Sequence, residues 1–128
     1  MSTLKADTIV ASDGTSPVTL TKQSAAKAWG HYDNRGTFGI KDTFGVSSIA
    51  DTATGRATPS LSNAMSDANY STPASGGNPS ATSTVYVLNP DTQTTTNTEL
   101  RGREHASSTT TGLSDLDFNF FAVHGDLA

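Results

Sequence analysis

The stretch Lys27–Ala57, KAWGHYDNRGTFGIKDTFGVSSIADTATGRA, decides the fold class. It alternates apolar and polar side chains and breaks at Asp and Gly, the pattern of short strands joined by tight turns. In AWGHYD, a period of two puts Trp29 and His31 on one face and Tyr32 on the other. Asp33–Gly36 reads as a turn. Phe38, Ile40, Phe44 and Val46 then follow with a change of register around Asp42, which predicts a bend or bulge. Ala50–Gly55 is a second turn.

On the N-terminal side, residues 1–21 read as an arm of two short strands around the turn Ser12–Pro17. Lys22–Ala28 has room for one helical turn or a coil. On the C-terminal side, Arg56–Leu61 is a poor strand, because Pro59 confines it to an edge or a bulge. Pro73–Ala81 reads as a Gly/Pro/Ser loop. Thr82–Pro90 reads as a strand with Val85 and Val87 opposite Tyr86 and Leu88. Asp91–Gly112 is low in apolar residues and fits either two exposed strands joined near Arg101–Gly102 or a loop. In Leu116–Gly125, Leu116, Phe118 and Phe120 share one face and Phe121 and Val123 the other, which predicts a strand buried on both sides. No solenoid period, heptad or collagen-type repeat is present.

Ser and Thr supply 37 of the 128 residues, and Leu, Ile, Val and Phe only 22. The core must therefore be thin, because each large side chain gains only about 1.5–3 kcal/mol on burial. A thin core is better served when other copies complete it. The expectation is an all-β chain: a small antiparallel β-sandwich-like head over residues 22–128, an N-terminal β arm over 1–21, and completion by oligomerisation.

The absence of Cys excludes disulfides and thiolate chemistry. The net charge of −4, with eight scattered Lys and Arg, does not give the basic footprint of a nucleic-acid binder. No basic n-region with an apolar h-region marks a signal peptide, and no apolar run approaches the ~18 residues that span a bilayer. Neither nucleic acid nor membrane insertion is expected.

Candidate chemistry is sparse. His31, His105 and His124 are far apart, with no partner at ligand spacing, so no metal site and no cofactor is expected. Asp115 and Asp117 flank Leu116, a spacing that suits either a Ca²⁺ ligand pair or, more commonly, a polar turn before a strand. No G-x-S-x-G elbow or phosphate-cradling glycine pattern occurs. The only glutamates, Glu99 and Glu104, do not make a glycosidase couple. No catalytic residue and no enzyme activity is expected. Arg101, Arg103, Glu104 and His105 form the densest charged group, either a glycan- or protein-binding tip or a solvated hairpin flank. Trp29, Tyr32, Phe38 and Phe44 suit a sugar-stacking platform, but their strand spacing favours core. Asn69-Tyr70-Ser71 matches a glycosylation sequon, a pattern common by chance.

Residues 22–71 resemble a module of tail-fibre and tail-tip proteins of tailed bacteriophages, abundant in marine phages. The resemblance rests on Lys27, Ala28 and Trp29 at its opening and on Phe44, Val46, Ser47, Ser48 and Ile49 in its central run. Thr43 and Gly45 stand there where the module has Ser and Asn. Asp51, Thr54 and Gly55 match its turn, and Met65, Ala68, Asn69 and Tyr70 its close. The opening MSTLKADTI and the following DGTSPVTLTKQSA are similar to the arm that precedes such modules, and FNFFAVHGD to their terminal strand. RATPSLSNAM departs from the aromatic strand expected before Met65, and residues 73–115 match no part of the module.

The resemblance implies a non-enzymatic virion protein, a short tail fibre or a tail-tip or adaptor subunit, and a homotrimer. Its arm would dock on other virion proteins through Leu4, Ile9, Val18 and Leu20. Its head would touch a host glycan or outer-membrane protein, with Arg101, Arg103 and His105 as candidate contacts. The competing reading is a capsid decoration or head-fibre protein that stabilises the shell.

Overall fold

The structure is a computed structural model that describes residues 25–79, 84–106 and 112–128. The arm residues 1–21, with Leu4, Ile9, Val18 and Leu20, lie outside the described residues, as do residues 22–24 of the segment read as a helical turn or coil. Residues 25–27 form a bend leading into the first strand.

The described residues form nine strands: β1 Ala28–Asp33, β2 Gly39–Phe44, β3 Val46–Ala53, β4 Arg56–Leu61, β5 Ala74–Gly77, β6 Thr84–Gln93, β7 Thr98–Ala106, β8 Gly112–Leu113 and β9 Phe118–Val123. They form two antiparallel sheets packed as a sandwich. One has the order β2-β1-β9-β5, the other β3-β4-β7-β6, with β8 on β7. The all-β, sandwich-like expectation holds.

At the β2–β3 step the chain passes from one sheet to the other across a single residue. β2 belongs to the first sheet and β3 to the second, with only Gly45 between them. Gly45 sits at φ 65°, and a Cβ there would run into the carbonyl of Lys27. Strands that change sheet need such a corner. The bulge foreseen near Asp42 is present. Tyr32 opposes Ile40 and His31 opposes Asp42, which leaves Lys41 unmatched.

The first sheet turns Ala28, Tyr32, Phe121 and Val123 inward, and the second turns in Ile49, Ala57, Leu61, Leu88 and Leu100. Met65, Tyr70 and Leu116 add to the core from loops. The Tyr70 hydroxyl lies 3.0 Å from the Thr94 carbonyl and 2.8 Å from that of Asn97, and shares its one proton between them. That contact ties the Met65–Tyr70 segment to the β6–β7 turn.

Several expectations are corrected. Pro73–Ala81 is not all loop: β5 pairs with β9, Ala74 against Phe121 and Gly77 against Phe118. Its small residues carry little strand propensity, but tertiary packing selects them, since a Cβ on Gly76 would lie 2.5 Å from Leu116 Cδ1. Arg56–Leu61 is a full strand between β3 and β7. Its ladder to β7 covers Arg56 and Ala57 and is taken up again at Ser60, opposite Asn97. The gap contains Pro59, which has no N–H to donate. The turn near Arg101–Gly102 is not there. These residues lie inside β7, and the hairpin turns at Thr94–Asn97, where Thr94 Oγ1 accepts from the Asn97 N–H at 3.0 Å. Thr98 and Leu100 are buried, which commits β7 to the core. Finally, β9 is buried on one face only, because Phe118 and Phe120 point away from the second sheet.

A buried polar cluster closes one end of the sandwich. Asn34, just after β1, accepts at Oδ1 from the Leu116 N–H and from Asn119 Nδ2, both at 3.0 Å. Asn119 Nδ2 also lies 3.2 Å from the Tyr32 carbonyl and 2.9 Å from the Leu116 carbonyl. Asp115 Oδ1 accepts from the N–H of Gly55 at 2.6 Å and from Asn34 Nδ2 at 3.3 Å. Gly55 is the β3–β4 turn residue, at φ 66°. Asp117 instead pairs with Arg35 at 3.3 Å. The two aspartates thus brace a loop, the polar-turn alternative.

Asp115→Ala should lower the unfolding free energy by about 2–3 kcal/mol, because it leaves the buried Gly55 N–H without an acceptor. Asp115→Asn keeps an acceptor oxygen and should cost clearly less in the same urea titration. Equal losses would mean that the charge, not the acceptor, matters.

Burial pushes the Tyr32 phenol well above its ordinary range, and the nearby Asp51 carboxylate adds to the effect. Burial also raises the Tyr70 phenol, and the neighbouring Thr98 and Gln93 side chains offset part of that rise. The folded chain therefore keeps protons that the unfolded chain releases above about pH 10. This stabilisation is complete below that pH and is lost as pH rises through the folded values. The thermal midpoint should fall between pH 9 and pH 11, and Tyr32→Phe should remove part of that slope. An unchanged slope would show that Tyr32 ionises as freely folded as unfolded.

Candidate functional site

The feature that stands out is the outer face of the β2-β1-β9-β5 sheet. Strand alternation fixes what it shows: Phe44 and Asp42 from β2, Trp29 and His31 from β1, Phe118, Phe120 and Ala122 from β9, and Ser75 from β5. Directly opposed residues share a face, so these side chains form rows across the sheet. One row runs Phe44, Trp29, Ala122. The next runs Asp42, His31, Phe120, Ser75.

The large members are open. Trp29 is 38% exposed, Phe118 42%, Phe120 45% and Phe44 58%. Three of the five phenylalanines and the only tryptophan thus lie outside the core. His31 stacks on Phe120 with ring centroids 4.2 Å apart and planes at 22°. It also tilts against Phe118 at 6.1 Å. Beside this ridge lies a hollow of about 310 Å³, lined by Pro73, Ala74, Ser75, Phe120, Phe121 and Ala122. At the level of Trp29, large residues fill the β2–β1 side and Ala122 leaves the β9–β5 side low, whereas Phe120 and Phe118 stand up from β9 at the next levels.

The four aromatics read as core at the sequence level therefore divide. Tyr32 is buried and Phe38 packs partly against it, but Trp29 and Phe44 point outward. The period of two separates Trp29 from Tyr32, but it does not say which face meets the second sheet.

The outer face of the second sheet is different. β6 and β7 place Val85 against His105, Val87 against Arg103 and Asn89 against Arg101. Arg101, Arg103 and His105 do share one face, but they stand along a strand and not on a tip. Arg101 Nη2 lies 2.5 Å from Asp91, and its Nε lies 3.3 Å from Glu99 Oε1. Arg56 reaches the same oxygen at 3.1 Å. These part-exposed pairs hold β4, β6 and β7 in register and contribute little each. The proposed contact residue Arg101 is thus committed to its own sheet, while Arg103 and His105 stand beside the exposed Val85 and Val87.

The three histidines are on different elements: His31 on β1, His105 on β7 and His124 just after β9. Among the described residues, no group of three His, Asp or Glu is placed to hold a metal ion. No described helix is long and apolar enough to cross a membrane. Asn69 of the sequon is exposed, with its N–H on Asp67 Oδ1 at 2.7 Å.

Sequence reasoning missed the Asn34–Asn119 pair. The signal was an Asn alone in the apolar run Phe118–Val123, where a polar residue on an inward face needs buried partners. Compared with protein-family models, with curated proteins and with solved structures, the chain has no match.

In dilute solution Phe121→Ala should cost about 3–5 kcal/mol, as a buried ring removed from the core. Phe120→Ala, the next residue, should cost less than about 1 kcal/mol. Urea unfolding of both variants checks this, and comparable losses would place Phe120 in the core.

Proposed function

We propose that the chain is a non-enzymatic structural subunit of a tailed-phage virion, part of a short tail fibre or tail tip that attaches the particle to its host. The observation that carries this reading is the open aromatic face of the β2-β1-β9-β5 sheet. The largest contiguous apolar patch on a protein's surface is often a functional contact surface. A β-sandwich with one such face is suited to assembly. The resemblance of Lys27–Tyr70 to tail-fibre modules supplies the kind of assembly.

In this reading the arm residues Leu4, Ile9, Val18 and Leu20 dock the chain on other virion proteins. The second sheet carries the candidate host contact, with Arg103 and His105 beside Val85 and Val87. Repetition on a symmetric particle converts weak single contacts into avidity, so no deep cleft is needed.

The experiment is immunogold microscopy of intact phage particles that encode the chain, with antibody raised against the recombinant protein. Gold at the tail end is the expected result. Gold spread over the head would replace host attachment with shell decoration. Particles that contain no copy of the chain by mass spectrometry would overturn the virion reading altogether.

A further inference from the structure

We propose that the outer face of the β2-β1-β9-β5 sheet is the contact surface of a two-fold homodimer, in which Phe44 and Trp29 of each copy seat in the hollow beside Ala122 and Phe120 of the other. The inference rests on the reading of this face as an assembly surface, names what covers it, and puts a two-fold pair in place of the trimer that the resemblance implies.

The amount of surface fits. With roughly 200 Å² per aromatic side chain, the exposed parts of Trp29, Phe44, Phe118 and Phe120 amount to about 370 Å². A stable pair of proteins buries about 800 Å² on each partner. The aromatics alone reach nearly half of that. His31, Ala122, Pro73 and the rest of the four-stranded face lie around them.

The shape is complementary to itself. Ala122 donates its N–H to the Pro73 carbonyl at 3.0 Å, so Pro73 extends the first row. That row runs from large to small: Phe44, Trp29, Ala122, Pro73. A two-fold axis parallel to the strands, in the plane between the facing sheets and above the gap between β1 and β9, lays β2 of one copy over β5 of the other. Within this row the large pair then meets the small pair at both ends, because all four residues lie at one level along the strands, and at the next level His31 meets Phe120 of the other copy. An arrangement that lays β2 over β2 would set ridge on ridge. Facing sheets related by this axis keep their strand axes aligned, each strand lying over one that runs the opposite way, the aligned packing of β-sandwiches. The His31–Phe120 stack lies beside the axis, where interface residues contribute most.

The charges agree. Asp42 falls opposite Ser75 of the other copy and not opposite its own counterpart. Asp33 is already held by Lys41 at 3.8 Å and by the Arg35 N–H at 2.9 Å. The face therefore has no strong field that would select a partner of opposite sign. Ridge and hollow also lie on one flat face. A closed ring of three needs two different patches aimed in different directions, whereas a single self-complementary patch gives a two-fold pair.

The test is the solution mass of the purified full chain by light scattering, combined with the emission of Trp29, the only tryptophan. The expected mass is twice that of the 13.2 kDa chain. Trp29 emission should shift to the blue as concentration rises, because pairing buries an indole that is open in the monomer. Phe120→Ser should weaken pairing about tenfold or more. Ala122→Trp, which fills the hollow and removes no aromatic, should do the same. Val87→Ser, on the other sheet, should leave the mass unchanged. A monomer at every concentration, a trimer, or a dimer that responds to Val87→Ser and not to Phe120→Ser or Ala122→Trp would overturn the proposal. None of these outcomes bears on where gold falls on the virion, so the two readings fail separately.

Discussion

The sandwich depends on a small set of buried amide and carboxylate hydrogen bonds. Asn34, Asn119 and Asp115 join the end of β1, the inner face of β9 and the β3–β4 turn, which belong to different sheets. A polar group in such a place is costly when unpaired and orders the fold when paired. Here Asn34 Oδ1 takes two donors, Asn119 Nδ2 is surrounded by three acceptors, and Asp115 takes the turn N–H that would otherwise be orphaned. The loop carrying Leu116 is held as a result, and Leu116 is fully buried. The Ser114 N–H donates to the Gly102 carbonyl at 3.0 Å, and the Gly102 N–H to that of Gly55 at 2.8 Å, so the backbone around the cluster is tied as well.

A chain so rich in Ser and Thr has few large side chains to place, and it does not place them all inside. The core uses close approach instead of bulk. A Cβ on Gly30 would lie 2.6 Å from the ring of Phe121, and one on Gly102 would lie 2.7 Å from the Ser114 carbonyl. Rings and leucines thus pack on bare backbone. Meanwhile Trp29, Phe44, Phe118 and Phe120 stay outside. An isolated domain gains little from aromatic side chains left in water, because the hydrophobic gain scales with area removed from it. Their clustering on one sheet face, and not their number, makes the case for a contact surface.

Much of this was legible in the sequence, and the failures have one cause. The alternation of Trp29, His31 and Tyr32, the bulge near Asp42 and the strand read over Thr82–Pro90, as far as it is described, are local, and local patterning described them, whereas of the turn read over Ala50–Gly55 only the end is a turn, since β3 runs to Ala53. What it could not supply was the identity of the inner face, which is set by the partner sheet. Tyr32 and Trp29 look alike as neighbours in a strand, and so do Phe120 and Phe121. β5 is invisible for the same reason: Ala74–Gly77 has no strand propensity and exists because β9 and Leu116 accept it. Arg101–Gly102 looked like a turn on composition, but β7 is long because Thr98 and Leu100 are needed inside. At the candidate site, the residue types were visible and their shared face was not.

The two outer faces differ in a way that suits two kinds of contact. The first is aromatic, carries few charges and is graded from high to low along the row of Trp29, which favours a copy of itself. The second carries Arg56, Arg101, Asp91 and Glu99 as a braced network, with Arg103, His105, Val85 and Val87 alongside. A charged frame around exposed valines is poorly suited to self-pairing and better suited to a partner of different chemistry, where charge sets orientation and encounter rate. Pairing through the first sheet points both copies of the second sheet outward, on opposite sides of the pair. A host contact made by Arg103 and His105 would then be offered twice per pair, without either copy having to move.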